Sequence, residues 1–192
     1  ITVSNYSEKV VVDTAFGFGQ KFDTCAGNSN KVQHTVINAY ANNERDTVIV
    51  LMNSDKWTGS GGSEAWVTAH NAASLDIMMH ELGHSFAGLQ DEYWDDAGNS
   101  PPLNSPTLAN SVHVSTSSDP TVVSWKDWIG FTDDLGTVGV YEGGFGYSKG
   151  AYRPTFTSKL KDNSHNSPSF SAPQKEAFIN KFYEIIDDYA SL

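Results

Sequence analysis

The chain has 192 residues, of which 39% are apolar and 18% charged, and its 12 Lys and Arg against 23 Asp and Glu give a formal charge of -11. That length suits a single ordinary domain able to bury its own core, and the composition excludes a disordered chain. No window gathers Lys or Arg into a stripe that could track phosphates, which argues against nucleic acid and anionic membrane surfaces as partners.

The longest apolar run, TVIVLM, is far too short to cross a bilayer, so no membrane insertion is expected. A lone Cys25 excludes an intramolecular disulfide framework and a cysteine-based zinc cluster, and it suits an exported bacterial protein. The start at Ile1 points to processing or to a boundary within a longer chain.

In chain order, residues 10–16 (VVVDTAF) and 47–53 (TVIVLMN) are β-branched runs bounded by turn formers, and both are predicted strands. Between them Val32, Val36, Ile37 and Tyr40 recur at helical spacing, giving the order β-α-β. The turn WTGSGGS follows. It lacks the GKS/T ending of a phosphate loop and opens no helix, so it reads as a mobile turn. EAWVTAH then alternates as a short strand at a sheet edge, where Trp66, Val67 and Thr68 could pair with an extended peptide.

A helix is expected from about Ser74, its N-cap, with Asp76 in the first turn where a negative charge suits the helix dipole. Leu75, Met78, Met79, Leu82 and Phe86 fall on one stripe and His80 and His84 nearly opposite, which predicts a core face separate from a histidine face. From about 95 to 172 the pattern is irregular, and VVSWKDWIGF is the one compact apolar piece. A loop that long in a compact domain is usually functional. A last helix is predicted in SAPQKEAFINKFYEIIDDYASL, opened by a Ser171/Gln174 capping box and striped by Phe178, Ile179, Phe182, Ile185, Ile186 and Tyr189.

The chemistry lies in MMHELGHSFAGLQDEYW, residues 78–94. Residues four apart on a helix lie about 40° apart, so His80 and His84 can aim imidazole nitrogens at one ion, and two neutral imidazoles suit zinc. Glu81 projects about 100° round from His80 and can reach a water on the ion without ligating it, which completes an H-E-x-x-H arrangement. Gly83 takes a side chain off the helix flank and lets a neighbouring element approach.

A catalytic zinc takes three protein ligands and keeps a position for water. Gly88 can adopt the left-handed conformation that ends a helix and turn LQDEYW back beneath the metal. The third ligand is then Asp91 first and Glu92 second, with the distant His70, His113 or His165 behind them. DEYWDDAGN is acidic enough to suggest Ca2+ but lacks the spacing of a calcium loop.

HELGHSFAGLQDEYW, the earlier VIVLMN and GSGG, and the later YEGGFGYSKGAYRPTFTSKLKD resemble the IgA peptidase family, metzincin-like zinc metallopeptidases named for bacterial enzymes that cleave immunoglobulin A. The resemblance implies an α+β fold with an α/β upper part: a twisted mixed sheet with an active-site helix and a backing helix, and an irregular lower subdomain ending in a C-terminal helix. It implies one catalytic domain over 1–192, with a cleft between an upper subdomain of about 1–88 and a lower one of about 89–192.

By the same resemblance His80, His84 and Asp91 hold one catalytic Zn2+, Glu81 is the general base, and the protein is a secreted or cell-surface bacterial monomer. It would act on immunoglobulin A or another extracellular protein. Gly88 stands four and Asp91 seven residues after His84, where metzincins proper have three and six. Leu160 stands where metzincins carry the methionine of the turn below the zinc. The spacing of their oxyanion-stabilising tyrosine falls on Asp162, which leaves Tyr147 and Tyr152 as nearby candidates for that role or for substrate contact. A non-catalytic module with a closed structural zinc, binding protein or glycan, is the alternative from another class.

Overall fold

The computed structural model describes residue 32 and residues 45–94 and 106–190, with side chains through 187. The expected first strand at 10–16, Cys25, most of the first helix and the acids at 95 and 96 lie outside the described residues. Within them the chain is mixed α/β: small sheets, one short helix and two long ones.

Strand β1 (Ile49–Met52) pairs in parallel with β3 (Ala65–Thr68), and β2 (Gly59–Ser60) pairs antiparallel with the other edge of β3. Alternation along β1 is strict: Ile49 and Leu51 are exposed, Val50 and Met52 buried. Val50 and Met52 pack with Trp66 and with Val32, a helical residue from the predicted first helix. The opposite face of β3 presents Val67 to Ala73 and Ile77, seating the next helix on the sheet. Burying side chains such as Trp66 and Ile77 contributes about 2–3 kcal/mol each.

EAWVTAH is therefore not an edge strand. All four residues of β3 are buried between two neighbours, which leaves Trp66, Val67 and Thr68 no free strand edge on which to pair with an extended peptide. Among the described residues the outer strand is β2, drawn from the glycine-rich segment that reads as a turn.

Helix α1 (Ser74–Ala87) carries the histidines. Ser74 is its first helical residue, and its Oγ accepts the Asn71 N–H (3.0 Å) rather than capping the helix itself. The separation into two faces does not hold: Leu75 is 66% exposed, whereas His80, Glu81 and Gly83 are buried with Ile77 and Phe86. The cause is that α1 is covered on both sides. The sheet takes Ile77, and Leu160 and Phe170 lie so close beneath that a Cβ on Gly83 would sit 3.2 Å from Phe170 Cε1 and 3.4 Å from Leu160 Cδ2.

After the short helix α2 (Pro106–Ala109), the stretch expected to be irregular holds a 3₁₀ turn (Lys126–Trp128) and two hairpins, β4 (Thr132–Asp133) with β5 (Gly136–Thr137) and β6 (Tyr141–Gly144) with β7 (Tyr147–Arg153). Val123, Trp125 and Val138 form a cluster there, with Tyr152 packed against it. Helix α3 (Ala172–Ala190) begins with half a capping box: the Ser171 N–H donates to Gln174 Oε1 (2.9 Å). Its apolar stripe docks at the N-terminal end, where Phe178 and Phe182 meet Phe86, while Ile179 and Ile186 remain more than half exposed.

Candidate metal centre and active site

His80 and His84 stand one turn apart on α1, and each ring is anchored from behind. His80 Nδ1–H donates to Lys159 O (2.8 Å) and His84 Nδ1–H to Leu89 O (2.7 Å). A carbonyl only accepts, so the proton of each neutral ring sits on Nδ1 and the Nε2 lone pair faces forward.

Gly88, at φ 65, ends α1 in the left-handed conformation, with Gly88 N–H on His84 O and Leu89 N–H on Gly83 O. The turn brings Asp91 Oδ1 to 3.0 Å from His80 Nε2 and 3.2 Å from His84 Nε2, while the two Nε2 atoms are 3.2 Å apart. Three ligand atoms held tetrahedrally at zinc distances would be spaced about 3.3 Å apart. His80, Glu81 and His84 also present donor atoms within 4.8 Å of one another, but the triangle with Asp91 is the tighter set. Lone pairs converging so closely repel unless a positive centre lies among them. The donor set therefore fits a small divalent cation.

The charges agree. Burial pushes the Asp91 carboxyl up, but positive charge at the two facing rings outweighs it and holds the group well below the usual carboxylate range. Burial pushes His84 down, and Asp91 more than reverses this, so the ring is raised. Glu81 stands beside the triangle, 6% exposed. Burial raises its carboxyl, opposed by the charges of His80 and His84, and its carboxylate accepts the Gly61 N–H. A raised carboxyl is nearer the proton affinity that a base needs at neutral pH.

Strand β2 lies directly over these groups. A Cβ on Gly59 would be 2.6 Å from Glu81 Oε1, and one on Gly61 would be 2.6 Å from His84 Cβ and 2.9 Å from its Cδ2. Gly61→Ala is expected to lift β2 off α1, costing about 1–3 kcal/mol of stability and moving the N–H that holds Glu81. Thermal unfolding and a cleavage assay on one preparation check both effects.

The turn after Gly88 is tied at every residue. Gln90 O accepts His113 Nε2–H (2.9 Å), Asp91 O accepts Phe145 N–H (2.8 Å), Glu92 N–H donates to Leu160 O (2.8 Å), and Tyr93 O accepts Gly146 N–H (3.0 Å). Glu92 points away from the histidines and is fully buried, accepting from Ser158 Oγ (2.5 Å) and Gln174 Nε2 (2.7 Å). Burial pushes it up to about 8, against those bonds and the charge of Arg153. Of the adjacent acids, Asp91 meets the histidines and Glu92 enters the core.

The other histidines stay outside the triangle. His113 is fully buried and pushed down to about 4 by burial, a neutral ring supporting Gln90. His70 pairs with Asn53 Oδ1, and His165 lies 3.8 Å from Asp76. The commitment of Glu92 to the core also takes away one acid from the suggested calcium segment.

Behind His80, Lys159 is held in turn. Its Nζ donates to Asp76 Oδ1 (2.6 Å) and Ser167 Oγ (2.5 Å), and Asp76 Oδ2 accepts the Asn166 N–H (2.9 Å). The Lys159 hydrogen bond, opposed by burial and aided by Asn166, holds the Asp76 carboxyl below its ordinary value. Its contribution to stability is thus complete above the unfolded pKa of about 4 and is lost as pH falls through the lower folded value. Asp76→Asn is expected to cost about 2 kcal/mol at neutral pH, since the nearly buried Lys159 ammonium loses its counter-charge, and to flatten the acid limb of stability below pH ~4. Denaturant titrations at several pH values measure this.

Above the triangle opens a cavity of about 700 Å³. Trp57 through Gly62 form one bank, Tyr93, Phe145 and Gly146 the other, and His80, Glu81, His84 and Asp91 the base. Neither expected tyrosine lines it. Tyr147 stacks on Phe145 (6.5 Å), and Tyr152 packs in the Trp125 cluster with its backbone bridged to Ser115. Asp162 accepts the Ser164 N–H and also stays outside the lining. Nothing in the sequence marked Trp57, Tyr93 or Phe145 as cleft residues, or showed how closely Gly61 approaches His84. The alternating glycines at 59 and 61 were the available signal, since glycine within a strand often marks a close backbone approach.

A pair of anchored imidazoles, a carboxylate completing the triangle and a second carboxylate beside it at the base of an open cleft make up a site suited to hydrolysis. The family model of IgA Peptidase M64 matches residues 3–137, a span that includes α1, the turn to Asp91 and Glu92, and the β2 bank. The chain belongs to that family, and its class is accordingly that of a peptidase. No curated protein matches the chain.

Proposed function

We propose that the chain is a zinc-dependent endopeptidase in which His80, His84 and Asp91 hold the ion and Glu81 is the general base. The observation that carries this reading is the 3.0–3.2 Å triangle with both histidine Nδ1 protons fixed on backbone carbonyls. Bound there, zinc would polarise the peptide carbonyl and acidify a water. Glu81 takes the proton of the attacking water and delivers it to the leaving nitrogen, its carboxylate aligned by the Gly61 N–H. Strand β2, paired only with β3 among the described residues, offers backbone groups along which an extended peptide can lie above the base.

The reading takes 1–192 as one metzincin-like catalytic domain, with the upper part through Gly88, the lower part after it, and Leu160 as an apolar floor in place of the methionine. Leu160 is fully buried with Leu89 and Phe170 under α1, which supports that role. It also places the protein outside a bacterial cell, with immunoglobulin A the first substrate to try because of the family's name. A closed structural zinc is the weaker reading, because the triangle opens on a large cavity and Glu92, the nearest further carboxylate in sequence, is turned into the core.

The test is digestion of an unstructured protein mixture and of immunoglobulin A by the zinc-loaded chain, with and without chelator, new termini being read by mass spectrometry. Zinc-dependent internal cuts are expected. A chain that binds zinc and cuts nothing would overturn the peptidase mechanism.

A further inference from the structure

Phe145 and Asn166 are the non-glycine residues with positive φ among those described, at 52° and 59°. Asn tolerates that region, whereas Phe, with a bulky Cβ substituent, is rare there. Its neighbours are Gly143, Gly144 and Gly146, all at positive φ, so a glycine at 145 would complete the run without strain. The backbone work at this position is the N–H bond to Asp91 O, which glycine would make equally well. What glycine cannot supply is the ring.

Phe145 lines the cavity at the metal site together with Trp57 and with Tyr93, which stacks on His80 at 6.3 Å, and its own ring is stacked on Tyr147 at 6.5 Å. Trp57 and Tyr93 are 56% and 41% exposed, so two of the residues that line the cleft carry accessible aromatic surface. Neither Lys nor Arg lines the cavity among the described residues, and its carboxylates are Glu81 and Asp91, which disfavours an acidic substrate side chain. Strain tolerated at a cleft suggests a role in what the cleft binds.

We propose that Phe145 is a specificity-determining residue whose ring walls a subsite beside the metal centre and selects peptides with a bulky apolar side chain next to the scissile bond. The assignment rests on the peptidase reading above. It extends to a part of the chain beyond the residues that the family model matches.

The test uses the zinc-loaded chain with Phe145→Gly and Phe145→Leu, and matched peptides differing only in Leu, Phe, Lys or Ala at each position flanking the cut. In the unaltered chain the ratio of kcat/KM for the Leu or Phe peptide over the Ala peptide should exceed one clearly. In Phe145→Gly that ratio should fall about tenfold or more, and Phe145→Leu should recover part of it. The thermal midpoint of Phe145→Gly should hold or rise, since strain is relieved. An unchanged ratio, with or without a lowered midpoint, would make Phe145 a packing residue and overturn the proposal, as would a preference for Lys. Binding of the same peptides to the Glu81→Ala protein separates the two readings. Apolar preference in binding that Phe145→Gly abolishes, with no cleavage by the unaltered chain, would keep the subsite and remove the peptidase chemistry.

Discussion

Replacing Glu81 with Ala is expected to lower peptide cleavage by about 10²–10⁴-fold while leaving zinc content as in the unaltered chain. The two outcomes are tied because the three closest donors are His80 Nε2, His84 Nε2 and Asp91 Oδ1, and Glu81 is not one of them. Alanine takes away the proton acceptor and leaves the ion's holders and their backbone anchors in place. Stability should fall little or not at all, since burial already disfavours the ionised Glu81 carboxylate. Cleavage rates and metal content measured on one preparation decide the matter. Loss of zinc along with activity would make Glu81 a ligand, whereas His80→Ala is expected to lose both together.

Local chemistry was the legible part. H-E-x-x-H fixes the spacing of donors on a helix regardless of what packs around it, and Gly88 followed by acids announces the turn that brings a third donor back. The Gln174 side chain reaching the Ser171 N–H was legible for the same reason: partner and target are three residues apart.

Long-range placement was not legible. β3 alternates like an edge strand, yet its pairing depends on a parallel partner sixteen residues earlier and on a two-residue β2 too short to carry a period. The β6 and β7 hairpin is hidden by glycines at positive φ and by a register shift between Glu142 and Gly144, which break the alternation that marks a strand. The exposure of Leu75 and the burial of Glu81 follow from what covers α1 above and below. A helical wheel does not contain that information.

Asp91 and Glu92 show the limit most sharply, because adjacent carboxylates have similar chemistry and only the fold sends them different ways. Asp91→Ala is expected to keep the fold and lose the metal. Its side chain is 31% exposed and its backbone carbonyl stays on the Phe145 N–H, so zinc affinity should fall at least tenfold to a hundredfold with little change in the metal-free unfolding midpoint. Glu92→Ala should act first on the fold. It leaves Ser158 Oγ without its acceptor and Gln174 Nε2 with only its longer bond to Ser158 Oγ (3.2 Å) in a fully buried site, at about 2–5 kcal/mol, and unties α3 from the turn that carries Asp91. Glu92→Gln keeps an oxygen for Gln174 but offers Ser158 Oγ a donor in place of its acceptor, so it should recover part of that stability. Zinc competition titrations and metal-free denaturant unfolding of the three variants separate the roles: if Glu92→Gln, folded and stable, lost zinc while Asp91→Ala kept it, the ligand assignment would pass to Glu92.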